Sequence, residues 1–400
     1  MESQRLGDYI VCNPTVKLKK GQQCQLIDID SITIGQKYPI SKGLVIYDGQ
    51  SGSKFSKGDT IMARITPCLE NGKIAMYNGK EDSIGSTELF VFRGKEGVST
   101  NEFVYYFFKQ DWIRNYAANS MTGASGRQRA DIKFIQKAKV QFPPLATQQK
   151  VASILSAYDS QIENNQKRIK LLEQMAENLY KEWFVRFRFP GFENTEFEGG
   201  MPKGWEYKPL GEIVSFERGL SYSSEEIDCE DGLNLVNLKN IEAFGGYRRD
   251  GLKHYNGKYK TAQVVKKGDL VMGVTDMTQD RRTVGAVALI PEIQGTSVIS
   301  ADLVKIVSKQ PNLFLYCLCR FGNYSKFFSQ FANGANVLHL KPNTLLNKKV
   351  LMPTDHLIKM FVENVQASIE CIDNLYKQND FLTHQRDLLL PRLISGKLSI

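Results

Sequence analysis

The feature that most constrains this 400-residue chain is that it is written twice. The run Lys57-Gly58-Asp59-Thr60-Ile61-Met62 returns as Lys267-Gly268-Asp269-Leu270-Val271-Met272, an offset of 210 from Gly58 to Gly268. Val140-Gln141-Phe142-Pro143 returns at the same offset as Val350-Leu351-Met352-Pro353. Gly123-Ala124 matches Gly334-Ala335 at 211, and Leu6-Gly7-Asp8 matches Leu210-Gly211-Glu212 at 204, so small insertions separate the copies. Four matches in one order at nearly one spacing indicate duplication. Whatever one half folds into, the other must fold into as well.

Each copy carries short β-branched or aromatic runs such as Ile27-Asp28-Ile29, Leu89-Phe90-Val91-Phe92 and Val284 to Ile290. Turns at Asp48-Gly49, Asn71-Gly72, Asn78-Gly79 and Asn256-Gly257 punctuate them, and helical patterns such as Phe103 to Tyr116 are interspersed. The expected fold class is α+β: globules at 1–145 and 206–353, each followed by a long helix, at 146–188 and 354–400. Residues 189–205 are rich in Gly, Pro and acids and lack any period, which reads as a linker.

The first helix keeps a 4-3 apolar spacing through Val151, Leu155, Tyr158, Ile162, Ile169, Leu172, Ala176, Leu179 and Trp183, interrupted by Asn165. The second copy's seam is Phe361, Val365, Ser368, Ile372, Leu375, Asn379, Leu382, Arg386, Leu389 and Leu393. A parallel pairing sets Asn165 against Leu375 and Ile169 against Asn379, and each stranded amide costs about 1–3 kcal/mol if buried. An antiparallel pairing sets Asn165 against Asn379, Tyr158 against Arg386, Ala176 against Ser368 and Trp183 against Phe361. Val151–Leu393 and Ile162–Leu382 then become apolar layers. An antiparallel coiled coil with matched asparagines is the expectation, holding the two globules apart about an approximate two-fold axis.

Composition narrows the chemistry. The seven cysteines (12, 24, 68, 229, 317, 319, 371) are scattered, which suits reduced thiols. With histidines only at 254, 339, 356 and 384, no metal site is expected. No apolar stretch reaches membrane-span length, and the opening Met1-Glu2-Ser3-Gln4-Arg5 lacks a signal-peptide pattern, so a cytoplasmic location without a membrane is expected. The net charge of +9 is compatible with a polyanionic partner. No phosphate-cradling Gly-x-x-x-x-Gly-Lys run, dinucleotide fingerprint, His-Glu-x-x-His, Gly-x-Ser-x-Gly or Asn-Pro-Pro-Tyr/Phe tetrad occurs. The chain is expected to bind rather than to catalyse.

Phe142-Pro143-Pro144-Leu145-Ala146-Thr147-Gln148-Gln149-Lys150-Val151, continuing through Gln174-Met175-Ala176-Glu177-Asn178-Leu179-Tyr180-Lys181-Glu182-Trp183-Phe184, resembles the central conserved region of type I restriction–modification specificity subunits. Leu388 to Leu398 looks like the matching distal ending, and Met201-Pro202-Lys203-Gly204-Trp205 with Leu210-Gly211-Glu212 is similar to the usual opening of the second recognition domain. The resemblance spans essentially the whole chain. It implies two target recognition domains reading a bipartite double-stranded DNA site, with helices that act as spacers and dock two modification (adenine methyltransferase) subunits. Through those, a restriction subunit would join. The same resemblance implies no cofactor on this chain, because S-adenosylmethionine, ATP and magnesium belong to the partner subunits. The second copy departs from the pattern: Met352-Pro353-Thr354-Asp355 lacks the Pro-Pro-Leu and Gln-Gln of the first, so unequal docking is expected.

No base contact carries over from a family whose recognition domains vary, so DNA candidates follow from side-chain chemistry. Ser125, Arg127, Gln128 and Arg129 lie in a Gly-rich loop, where Arg suits guanine, Gln suits adenine and backbone amides suit phosphate. The equivalent loop of the second copy offers Asn336 and His339. Arg64, Arg248, Arg249, Arg281 and Arg282 complete the set. The helix-pairing set is Asn165, Asn379, Leu155, Ile162, Leu172, Leu179, Trp183, Phe361, Ile372, Leu382 and Leu389. The bland alternatives are solvated loop charges and helices packed on their own globules. Two other readings stay open: a specificity protein serving a fused methylase–nuclease, and a coiled-coil scaffold without DNA.

Overall fold

The computed structural model describes residues 3–123, 126–227 and 232–398. Contacts gather the chain into two compact units, Met1–Lys167 with Leu375–Ile400, and Arg168–Asn374. Each unit therefore contains one globule together with half of each long helix.

Unit 1 contains β1 (Ile10–Cys12), β2 (Gln23–Ile27), β3 (Leu44–Ile46), β4 (Ser53–Phe55), β5 (Thr60–Ala63), β6 (Ile74–Met76), β7 (Ser83–Gly85) and β8 (Leu89–Gly94). One antiparallel sheet has the order β1-β8-β5-β6. The other has the order β3-β2-β7-β4, with β2 and β7 parallel. The central strands β5 and β8 carry apolar runs at 61–63 and 89–92 because both of their faces are covered there. Met62, Phe90 and Phe92 pack beneath Phe103, Phe107 and Phe108 of the helix Asn101–Lys109. Ile61 and Val91 face Ile27 and Phe55 of the second sheet.

Unit 2 contains β9 (Val214–Arg218), β10 (Leu233–Val236), β11 (Lys253–Tyr255), β12 (Val264–Val265), β13 (Leu270–Gly273), β14 (Val287–Leu289), β15 (Ser297–Ile299) and β16 (Leu303–Ser308). Its sheets have the orders β9-β16-β13-β14 and β11-β10-β15-β12, with β10 and β15 parallel. Every strand of unit 1 returns with its number raised by eight. The duplication seen in the sequence is a duplication of topology.

The repeated Lys-Gly-Asp is explained by what it fastens. Gly58 and Gly268 take φ of +91° and +84°, a left-handed turn where a side chain would be strained. The following aspartate closes the turn by accepting from the Ser56 amide (2.8 Å) in unit 1 and the Lys266 amide (3.0 Å) in unit 2. It also ties neighbouring strands: Arg93 of β8 grips Asp59 through two bonds of 2.6 and 2.7 Å, and Lys305 of β16 reaches Asp269 at 3.0 Å.

The first long helix runs Leu145–Tyr180 and continues into a π-helical turn, Lys181–Val185. It stops short of the expected end at 188 because Phe187 takes a left-handed φ of +59°. The second runs Asp355–Ile394. Within unit 1 the segments 145–167 and 375–394 pair antiparallel, as the seam predicts. Asn165, 0% exposed, donates to Asn379 Oδ1 (3.0 Å) and to Gln378 Oε1 (3.4 Å). Leu155 and Ile162 are buried while Leu382 and Leu389 are half-buried. Val151 and Leu393 share one core. Arg386 sits one residue away from expectation, bonding Asp159 and not Tyr158. Within unit 2, Trp183 and Phe361 meet edge to face with centroids 5.8 Å apart. Ile372 is buried, and Leu172 and Leu179 are half-buried.

Asn165→Leu is expected to destabilise unit 1 by about 1–3 kcal/mol, since Asn379 would be left with a buried, unpaired amide. Adding Asn379→Leu should restore most of the loss, read as a double-mutant cycle in urea. Additive losses would mean the two amides do not face each other.

The segment expected to be a linker, 189–205, is instead folded. Phe189 and Trp205 are buried and stack at 5.7 Å, and Phe197–Glu198 pairs with Met201–Pro202. Its polar composition concealed four aromatics, Phe189, Phe192, Phe197 and Trp205, that find partners only in the fold. One residue of the Gln-Gln difference between copies is likewise internal, whereas Gln149 is exposed. Gln148 is buried, accepts from the Thr100 amide (3.1 Å) and donates to the Val98 and Pro143 carbonyls (2.9 and 2.8 Å). Ile358 stands at the same offset in the second copy, buried in an apolar core. At this one position the difference between the copies is an exchange of staple for packing. Among the described residues no helix is long and apolar enough to cross a membrane, and no cluster of His, Cys, Asp and Glu could hold a metal.

Candidate nucleic-acid interface

In unit 1, β5 continues as an extended chain through Arg64, Ile65 and Thr66. Ile65 bridges Arg129, and the Thr66 amide donates to the Gln128 carbonyl at 3.0 Å. Arg129 also bridges Thr122, with amide-to-carbonyl distances of 3.0 and 3.2 Å, so the chain at 122 and at 129 runs antiparallel beside the strand extension. Gly123 and Gly126 supply its positive φ angles, +123° and +79°. The sequence candidates Arg64, Arg127, Gln128 and Arg129 are thus brought together. Ser125 lies outside the described residues.

Their roles differ. Arg129 bonds Glu88 at 2.7–3.0 Å, and this contact holds the Glu88 carboxyl below its usual range. Arg64 lies over the Phe90 ring at 4.9 Å and donates to the Ala130 carbonyl at 3.4 Å. Both brace the loop before any ligand arrives. Gln128 is half-buried, whereas Arg127 is exposed and has no ion pair or hydrogen-bonded side-chain partner among the described residues.

The same construction recurs in unit 2 at the same offset. Thr275–Asp276 pairs with Leu338–His339, and His339 bridges Asn333. Positions 65 and 129 correspond to 275 and 339, so His339 occupies the place of Arg129. Thr122 corresponds to Asn333 at 211, which makes the second loop one residue shorter. Asp302, at the place of Glu88, accepts from the Thr275 hydroxyl at 2.9 Å in place of an arginine. The loop after β13 is organised by Asp276. Burial opposes its charge, but bonds from the Thr283 amide (2.7 Å) and the Thr278 amide (2.8 Å) bring its pKa below the ordinary value. Gln279 ties that loop to the Ala335 carbonyl at 2.9 Å. Asn336 and His339 are exposed on it.

The remaining arginines are dispersed. Arg281, at φ +55°, donates to the Ser329 carbonyl at 2.9 Å, and exposed Arg282 pairs with Asp280 at 2.7 Å. Lys326 and Arg320 join them around a cleft of about 450 Å³, two cations that sequence reasoning missed because they lie on separate helical segments. Arg248 is exposed beside Asp250 at 3.8 Å. Arg249 is redirected: it pairs with Asp373 of the second long helix, so it fastens the unit 2 globule to that helix. The partner lies 124 positions away, beyond any local motif.

The family model for the type I restriction modification DNA specificity domain matches residues 1–174. The MjaIX specificity subunit of Methanocaldococcus jannaschii is 29% identical over 322 residues, covering 76% of this chain and 71% of that protein. The MjaVIII specificity subunit of the same organism is 24% identical over 422 residues, covering 100% of this chain and 93% of that one. The chain is thus similar along its whole length to type I restriction enzyme specificity subunits. A solved specificity subunit from M. genitalium shares the fold, with a TM-score of 0.57 at 14% identity over 98% of this chain and 95% of that one.

Proposed function

We infer that this chain is the DNA-recognition component of a type I restriction–modification system, reading a bipartite site and docking two modification subunits. The observation that carries the reading is the pair of matched loops, 122–129 and 333–339, built on one topology with unlike side chains. Two similar readers with different loops suit two different half-sequences. The chain is a non-catalytic member of its assembly. Adenine methylation with S-adenosylmethionine, and ATP- and magnesium-dependent cleavage, belong in this reading to the modification and restriction subunits. The cytoplasm is the corresponding location.

Methylation mapping of the host tests the reading: a bipartite adenine-methylated sequence should vanish when this chain is deleted and return with it. Persistence of that mark would overturn it. Within the site, Arg127→Ala is expected to weaken binding of the mapped duplex by about 1–3 kcal/mol if Arg127 grips a guanine, with the loss confined to changes in one half-site. If it meets a phosphate instead, the loss is uniform across sequences and the salt slope falls by about one. Arg129→Ala should act on the same half-site by releasing Glu88 and loosening the loop. Unchanged affinity and salt slope for both variants in a fluorescence titration would defeat the assignment.

A further inference from the structure

The two units differ at one equivalent cleft. In unit 2, Arg320 at the end of the helix Asn312–Phe321 reaches Glu173 of the first long helix at 3.2 Å. In unit 1 the same place, offset by 211, is held by Lys109 at the end of the helix Asn101–Lys109. The position matching Glu173 on the second long helix, offset by 210, is Thr383. The carboxylate is missing, and the Lys109 Nζ is buried with no hydrogen-bond partner. Lys109 and Thr383 line one undivided cleft of about 550 Å³.

Neighbouring acids do not fill the gap. Asp159 and Asp387 are both engaged by Arg386, at 2.5 and 2.9 Å, and Asp111 is engaged by Arg114. Each of these carboxylates is turned to an arginine, so none of them hydrogen-bonds the Lys109 ammonium. Burial pulls the Lys109 pKa down to about 8, although the nearby charges of Asp159 and Asp387 act the other way. The cleft is lined by exposed Ile34 and Trp112 with Leu390 below, alongside the Asp111–Arg114 and Asp387–Arg386 pairs. The apolar side chains and the two carboxylates at the mouth fit a side chain carried on a peptide better than a polyanionic phosphodiester.

We propose that the Lys109 cleft of unit 1 receives an acidic side chain from a modification subunit, supplying in trans the carboxylate that Glu173 supplies within unit 2. The proposal rests on the functional reading above and names the chemistry of one of its two docking contacts. Because unit 2 satisfies its own cation, only one of the two partners is held this way.

Thr383→Glu writes the unit 2 arrangement into unit 1. The full chain carrying it is titrated with the purified modification subunit, beside wild type and Lys109→Met. Both variants are expected to weaken one of two binding events about tenfold or more and leave the other unchanged. Thr383→Glu should melt no lower than wild type, because its carboxylate meets Lys109. Equal binding by wild type and both variants would overturn the cleft contact and leave the functional reading standing. No binding by wild type would overturn both. Loss of affinity for the mapped duplex, with modification-subunit binding intact, would also overturn the proposal by showing a phosphate in the cleft. If Thr383→Glu fails to fold, Lys109→Met decides the outcome.

Discussion

Arg386→Met is expected to destabilise unit 1 by about 3–5 kcal/mol, far more than a lost surface charge. The guanidinium is 1% exposed and bonds Asp159 Oδ1 at 2.5 Å. Burial works against its charge, yet Asp387 and Asp159 hold its pKa above the ordinary guanidinium value. Asp159 accepts a second bond of 2.5 Å from the Tyr106 hydroxyl, and Ser156, beside it, is bonded by Lys37 at 2.8 Å. Removing the guanidinium strands a carboxylate in the interior, where an unpaired charge is expensive. The duplication supplies the control. At the corresponding positions unit 2 has Ile369 and Ala176, an apolar pair. Asp159→Ile combined with Arg386→Ala should therefore recover most of the loss. Hydrogen exchange resolved to unit 1 peptides measures both. A single-variant loss below about 1 kcal/mol would contradict the buried pair.

Phe361→Ala is expected to destabilise unit 2 by about 3–5 kcal/mol through the cavity it leaves. The ring is fully buried and meets Tyr180, Trp183, Phe184 and Phe314 with centroids 4.9–6.4 Å apart. These partners come from the first long helix and from the helix Asn312–Phe321, so one side chain joins three elements of the unit. Phe361→Leu keeps much of the volume and should lose less. Protection against exchange should fall in unit 2 peptides and stay unchanged in unit 1. Equal losses in both units would show that the ring does not act locally.

What could be read from the sequence was periodic or repeated. The matched asparagines and the Trp183–Phe361 layer followed from a seam of period 3.5, in which a polar interruption must find a polar partner. The repeat fixed the topology of unit 2 once unit 1 was known. What could not be read depended on distant partners. Arg129 looked like a free loop cation, but Glu88 lies 41 positions away and claims it. Arg249 finds Asp373 on a helix, and Arg386 chooses Asp159 because the acid points inward one residue beside the seam. Lys109 drew no attention as one lysine after an aromatic run. Only its comparison with Arg320 shows what it lacks.

The division of the chain has a consequence for synthesis. Unit 2 is one continuous stretch, Arg168–Asn374, whereas unit 1 needs Leu375 onward to finish. On the ribosome, unit 2 can therefore close first, although its residues emerge second. Until the last stretch arrives, Asn165 lacks Asn379, Asp159 lacks Arg386, and Val151 and Leu155 have no cover from Leu390 and Leu393. The first globule made is the last one completed. A reader of half the target is held immature until its sibling is already built.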